Sequence, residues 1–300
     1  MTGRPLADDF DSLRGLGERL VAAGRLEEAL AAFERALQTA ADAGDARQAA
    51  LAACNRAAVA IALDRGEAEL PRQRAILMRD FDDVVSHLAA YNIARQHERA
   101  KSFKKSLFYA RIALDRARLL GRQDWIAGSH NQIANVLLAE SQVDEAIREY
   151  ERAAAAMPAT AGVPRAQLLG NLGYCRALQG RLREAFQLLS RSLRLLIRAR
   201  AERFQISTRL DLCFAHLEAG RSRDARRHGL VALRLAERAG DADGIRNALY
   251  LLGEEASLRG DQAAAGDHFG RLQREFFPGA AQLPSFLMTV DVRKLINLHA

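Results

Sequence analysis

The residue types that most often do chemistry are present in this chain but dispersed. Seven histidines (His87, His97, His130, His216, His228, His268 and His299) show neither a His-x-x-x-His pair nor His-Glu-x-x-His. Those are the spacings that set two imidazoles on one helix face for zinc. Cys54, Cys175 and Cys213 are odd in number, far apart and without a Cys-x-x-Cys, so they read as small packing residues in a reducing compartment. The adjacent acids Asp82-Asp83 and Glu254-Glu255 point to different faces of a helix and cannot share one substrate atom. Neither a Gly-x-x-x-x-Gly-Lys phosphate loop nor a Gly-x-Ser-x-Gly nucleophile turn occurs. The sequence therefore predicts no catalytic residue, no metal site, no cofactor and a non-enzymatic role.

Charge is uneven along the chain. The formal net charge is +7, yet residues 1–50 hold 6 arginines against 9 acids, whereas residues 181–240 hold 14 arginines against 6 acids. Such a basic half attracts acidic partners of several kinds, including nucleic acid, acidic peptides and anionic lipid. The aromatics expected to interleave with arginine for single-strand stacking are sparse there (Phe186, Phe204, Phe214), which ranks nucleic-acid binding low. No apolar run approaches the roughly 18 residues that span a bilayer. The first twenty residues carry Asp8, Asp9 and Asp11 in place of the basic-then-apolar order of a signal peptide. A cytoplasmic protein without membrane contact is the expectation.

The elements that must position any site follow from one stretch, Gly17 to Ala36. It contains two short helical patterns around Gly24, with Gly17, Ala29 and Ala36 where the helices should cross. A lone helical hairpin cannot bury its apolar face, so copies are required. Aligned on the first small residue they fall at Gly17, Ala57, Ala94, Ala134, Gly173, Cys213 and Gly253, spaced by 40, 37, 40, 39, 40 and 40 residues. The pattern predicts helices over 9–22 and 25–43 in the first copy and a degenerate second helix, about 69–80, in the second. The stretch 158–164, with two prolines, reads as a joint. The period stops after Pro278, where Ser285 suggests a helix cap before Phe286, Leu287, Val290 and Leu295.

Leu16-Gly17, Gly24, Ala29, Phe33 and Ala36, repeated as Leu172-Gly173, Gly180 and Ala185 and as Leu252-Gly253, Gly260, Ala265 and Phe269, resemble the tetratricopeptide repeat. The unit exceeds the family's basic length of about 34 residues. It is similar in this to long-repeat members that include kinesin light chain and bacterial peptide-pheromone receptors. The resemblance implies an all-α fold, a right-handed superhelical α-solenoid of about seven helix-turn-helix repeats over residues 1–278. Residues 279–300 are expected to form a C-terminal capping helix or a docking tail.

In that family the first helix of each pair lines a concave groove, and the residue before the Leu-Gly pair faces the ligand. Carried onto this chain, the resemblance implies a ladder of Asn55, Asn92, Gln132, Asn171 and Asp211, with Tyr91, Arg95, Arg99, Asn131, Asn135, Gln167, Tyr174 and Phe214 on the same face. An amide offers a donor and an acceptor and can pair with a peptide backbone whatever its sequence. Arg95 and Arg99, followed by Lys101, Lys104 and Lys105, suit an acidic ligand segment. The expected function is an adaptor that binds an extended peptide or protein segment in its groove. Alternatives are a peptide sensor acting on a separate transcription factor or kinase, and a nucleic-acid binder through residues 181–240. The oligomeric state stays open.

Overall fold

The computed structural model describes residues 9–158, 160–293 and 296–299, and among them there is helix but no strand. Helices alternate with short turns in seven consecutive pairs. The first three are α1 (Phe10–Ala22) and α2 (Leu26–Asp42), α3 (Ala46–Ala62) and α4 (Leu70–Arg79), and α5 (Asp83–Arg99) and α6 (Phe103–Leu119). Then come α7 (Gln123–Ala139) and α8 (Val143–Ala156), α9 (Gly162–Leu178) and α10 (Leu182–Arg198). The last pairs are α11 (Glu202–Glu218) and α12 (Ser222–Ala239), and α13 (Ala242–Leu258) and α14 (Gln262–Phe276), followed by α15 (Leu283–Thr289). No helix among the described residues is long and apolar enough to cross a membrane.

The chain forms two compact units, Met1–Val136 and Leu137–Ala300, so the division falls within α7 rather than at the proline-bearing stretch. Helix α9 begins at Gly162 and absorbs Pro164 in its first turn, where a missing N–H costs nothing. In the first unit α1, α3 and α5 touch in an inner row, with α2, α4 and α6 packed behind them. In the second, α9, α11 and α13 form the inner row, α10 packs on α9 and α11, and α12 on α11 and α13. Helix α15 packs on α14 and α13 and buries Leu287.

Small residues sit where the paired helices cross. A Cβ added at Gly17 would lie 2.6 Å from the Phe33 ring, at Gly173 2.8 Å from Leu189, and at Gly253 2.3 Å from Phe269. In the α11–α12 pair the sizes are exchanged: the inner helix carries Cys213 and the outer one Gly229, whose added Cβ would lie 3.3 Å from the thiol sulfur. The three cysteines are free and buried, and burial pushes the Cys54 and Cys175 thiols up to about 12, which keeps them protonated.

Turns follow the same period. Gly24, Gly180, Gly220 and Gly260 take φ of +75°, +72°, +67° and +80° between the helices of their pairs. In the second, third and fourth pairs the corresponding position is Asp64, Lys101 and Ser141, at φ +64°, +52° and +61°. The left-handed turn is kept although its glycine is gone. Helix α4 is short because a 3-10 turn, Gly66–Glu69, precedes it. Ser285 is not a helix cap: α15 starts at Leu283 with Pro284 in its first turn, and the Ser285 carbonyl accepts from the Thr289 hydroxyl.

Candidate functional site

In the first unit, α1, α3, α5 and the start of α7 frame an open cleft of about 570 Å³. Asn55 stands in its wall with Arg14, Arg47, Leu88 and Trp125. The Trp125 indole is fixed between the His87 ring, 4.3 Å between centroids, and the Arg122 guanidinium, 4.5 Å from the ring centre. His87 is itself anchored by Nδ1, 2.8 Å from the Ala113 carbonyl. Arg95 and Asn55 also line a second, more apolar cleft of about 360 Å³ against Phe33 and Val59. Asn55 and Arg95 thus border open space.

Other ladder residues of this unit are engaged in holding helices together. Asn92 is buried, and its Nδ2 donates to the Cys54 carbonyl at 2.8 Å and to Gln73 Oε1 at 3.4 Å, tying α5 to α3 and α4. It is therefore no ligand contact but a cross-link of the fold. Arg99 is exposed, and its guanidinium pairs with Asp64 in the turn of the preceding helix pair. Gln132 Nε2 donates to Glu98 at 2.6 Å, and Asn135 bonds the same carboxylate, whose pKa burial raises nonetheless. Asn131 and Tyr91 are half-buried. Tyr91 lies over Gly128, where an added Cβ would meet its hydroxyl at 3.7 Å, and burial raises its phenol.

In the second unit the inner helices bring Tyr174, Asp211 and Phe214 together, but buried rather than open. Phe214 packs edge-on against Tyr174 at 5.6 Å, and Gln167 and Asn171 lie half-buried on the same helix as Tyr174. The chain's own C-terminal segment covers Tyr174 and Asp211. The Leu298 N–H donates to the Tyr174 hydroxyl at 3.0 Å, and its carbonyl accepts from Asn247 Nδ2 at 2.9 Å. The His299 ring stacks on Tyr174 at 4.3 Å and places Nε2 2.8 Å from Asp211 Oδ1. Asn297 Nδ2 donates to the Leu138 carbonyl at 2.6 Å. Four residues before Asn297, Arg293 lies 3.4 Å from Glu218 and 3.6 Å from Glu254.

The electrostatics follow burial. Asp211 is raised by desolvation against the pull of His299, and Glu254 is raised to about 7 by the same cause, opposed by Arg293. Beside His299 a cleft of about 240 Å³ remains, lined by Phe204, Ile206, Leu210, Asp241 and Asp243 among others. Asn247 and Glu218 were not singled out from the sequence, and Glu254 was read only as half of an adjacent acid pair unable to share one substrate atom. Asn247 stands 80 residues, two repeats, beyond Gln167, so its place on the inner face was available from the period.

Residues 125–198, α7 to α10, match the tetratricopeptide repeat family model. No curated protein matches the chain. Among solved structures, that of a Rap protein complexed with Competence and Sporulation Factor is similar with a TM-score of 0.72 at 11% identity, covering 95% of this chain and 78% of that one. The apo form of RapI gives 0.63 at 11% identity, covering 96% and 85%. Aspartyl phosphate phosphatase F from Bacillus subtilis gives 0.57 at 12% identity, covering 100% and 97%. At these identities the likeness is one of fold.

Proposed function

We propose, from the premise that this chain is a tetratricopeptide repeat protein of the long-repeat kind, that its inner helices hold an extended peptide or protein segment. The tetratricopeptide fold is a scaffold for protein interaction, and the finer reading concerns how a partner is gripped. The observation that carries it is the pair of bonds on Leu298, whose backbone N–H and C=O are each taken by a side chain, Tyr174 and Asn247, from two different inner helices. Contacts to backbone hold an extended strand without reading its side chains, and neighbouring side chains then supply selectivity. The likeness of fold to a Rap protein solved in complex with a bound factor supports the same reading.

A displayed random-peptide library panned against the full chain tests it. Peptides should be enriched, and their binding should drop at least about tenfold when Asn55→Ala, Tyr174→Phe and Asn247→Ala are combined, a loss of about 1.4 kcal/mol. No enrichment, or equal binding to the triple variant, overturns the proposal.

A further inference from the structure

Three carboxylates on the inner helices of the second unit, Asp211 and Glu218 on α11 and Glu254 on α13, have ionic partners from the C-terminal segment alone among the described residues. Asp211 meets His299 at 2.8 Å, and Glu218 and Glu254 meet Arg293 at 3.4 and 3.6 Å. Asp211 and Glu254 are buried and Glu218 is half-buried. Buried carboxylates are stabilised by a compensating charge or by protonation, and here the cationic or protonatable side chains that meet them, Arg293 and His299, come from the C-terminal segment. The chain's excess of arginine lies elsewhere: Arg183, Arg191, Arg194, Arg223, Arg226 and Arg234 are exposed on the outer helices α10 and α12. Net charge therefore misdescribes the site, and an acidic ligand does not suit it. Tyr174 adds a flat aromatic face on which the planar imidazole already stacks, and a guanidinium stacks equally well. The cleft beside His299, whose lining includes Arg203 as well as Asp241 and Asp243, leaves room for the longer of the two.

We propose that the described residues of the C-terminal segment, Arg293 and 296–299, are a resident stand-in for the ligand, and that the site they fill accepts in exchange a basic peptide segment in which an apolar residue is followed by an imidazole or guanidinium. The proposal rests on the reading of the inner helices as a peptide-binding face and adds the chemistry of the peptide. The Leu298 side chain, itself buried, marks the apolar position, and its bracketed backbone fixes the register of the basic side chain over Asp211.

The probe is a fluorescein-labelled, carboxy-amidated synthetic peptide with the sequence of residues 289–300, titrated by anisotropy into the full chain and into full-length Arg293→Ala/His299→Ala. The double variant, its own tail loosened, should bind the peptide at least about tenfold more tightly than the unaltered chain. The same peptide with Arg293 and His299 replaced by glutamate should lose at least about tenfold. Equal affinities in either comparison overturn the proposal. A second measurement needs no variant: saturating peptide should raise deuterium exchange of residues 290–298 in the unaltered chain, and bound peptide without such a rise also overturns it. If the library selection yields peptides while the basic probe fails, the chemistry proposed here falls and the peptide-binding reading stands. If both fail, both fall.

Discussion

His299 lies flat on Tyr174 and directs Nε2 at Asp211, 88 residues earlier in the chain, at 2.8 Å. One imidazole thus joins α9 to α11 through two different interactions, a ring stack and a hydrogen bond to a buried carboxylate. Removing the imidazole leaves Asp211 buried without its partner, whereas replacing the acid by an amide keeps a neutral hydrogen bond. His299→Ala should therefore lower unfolding free energy by about 1–3 kcal/mol, and Asp211→Asn by less than half of that. Urea unfolding of both variants decides it; a larger loss for Asp211→Asn contradicts the reading.

The crossing glycines give a sharper contrast. A Cβ at Gly253 would sit 2.3 Å from the Phe269 ring, while at Gly266 nothing lies within 4 Å. Gly253→Ala should cost about 1–3 kcal/mol through overpacking, and Gly266→Ala should gain a few tenths through helix propensity. By the same reasoning Gly173→Leu, facing Leu189, should lower the melting temperature far more than Gln179→Leu, whose side chain is exposed. Thermal unfolding curves for the four variants are the measurement, and equal shifts within either pair would refute the crossing.

Much of the fold was legible because a period of about 40 residues is imposed by stacking, which acts on every copy. The departures were legible only in part. Asp64, Lys101 and Ser141 hide a turn that Gly24 announces, since the backbone conformation at these positions is set by helices on both sides rather than by the residue. The site was read less well for a different reason. Position on an inner helix says which face a residue occupies, but not whether a neighbour has already taken its hydrogen bonds, as Cys54 and Gln73 take those of Asn92. Nor could the period indicate that a segment beyond its own end returns to Tyr174 and Asp211.

The turn residues carry their own expectation. Lys101 and Arg200, both at φ +52°, hold a left-handed conformation that costs a side-chain-bearing residue roughly 1–2 kcal/mol. Glycine relieves that strain and returns part of it as unfolded-state entropy. Lys101→Gly and Arg200→Gly should each stabilise by up to about 1 kcal/mol, and Asp64→Gly by less, because aspartate tolerates this region. Chemical denaturation reads the order; a loss for Lys101→Gly would show that its side chain has a role the turn does not explain.

Acid should weaken the second unit through His228. Its ring stacks on His216 at 5.5 Å, with Phe186 on the other side of His216 at 4.6 Å, and its pKa is lowered to about 4. Burial is the main cause, followed by His216, Arg227 and Arg209, with Asp224 acting weakly the other way. The folded value lies below the ordinary 6.5. The unfolded chain therefore binds the proton first, and stability present above pH 6.5 is lost as pH falls toward 4. The loss approaches about 3 kcal/mol at the lower end. His228→Leu should flatten the dependence of urea midpoint on pH between 7 and 5, and an unchanged slope would assign it to other groups.

Asn92 and Asn247 should separate stability from binding. Both are asparagines on inner helices, but Asn92 spends its amide on the Cys54 carbonyl and Gln73, while Asn247 spends it on the carbonyl of Leu298. Asn92→Ala leaves buried groups unpaired and should cost about 1–3 kcal/mol without changing peptide affinity. Asn247→Ala removes a half-buried amide at the surface of α13, so stability should move by less than about 0.5 kcal/mol. It should nonetheless increase deuterium exchange of residues 290–298 and weaken a bound peptide severalfold. Finding the two effects in the reverse residues would mean that the grip on Leu298 is structural and that the ligand lies elsewhere.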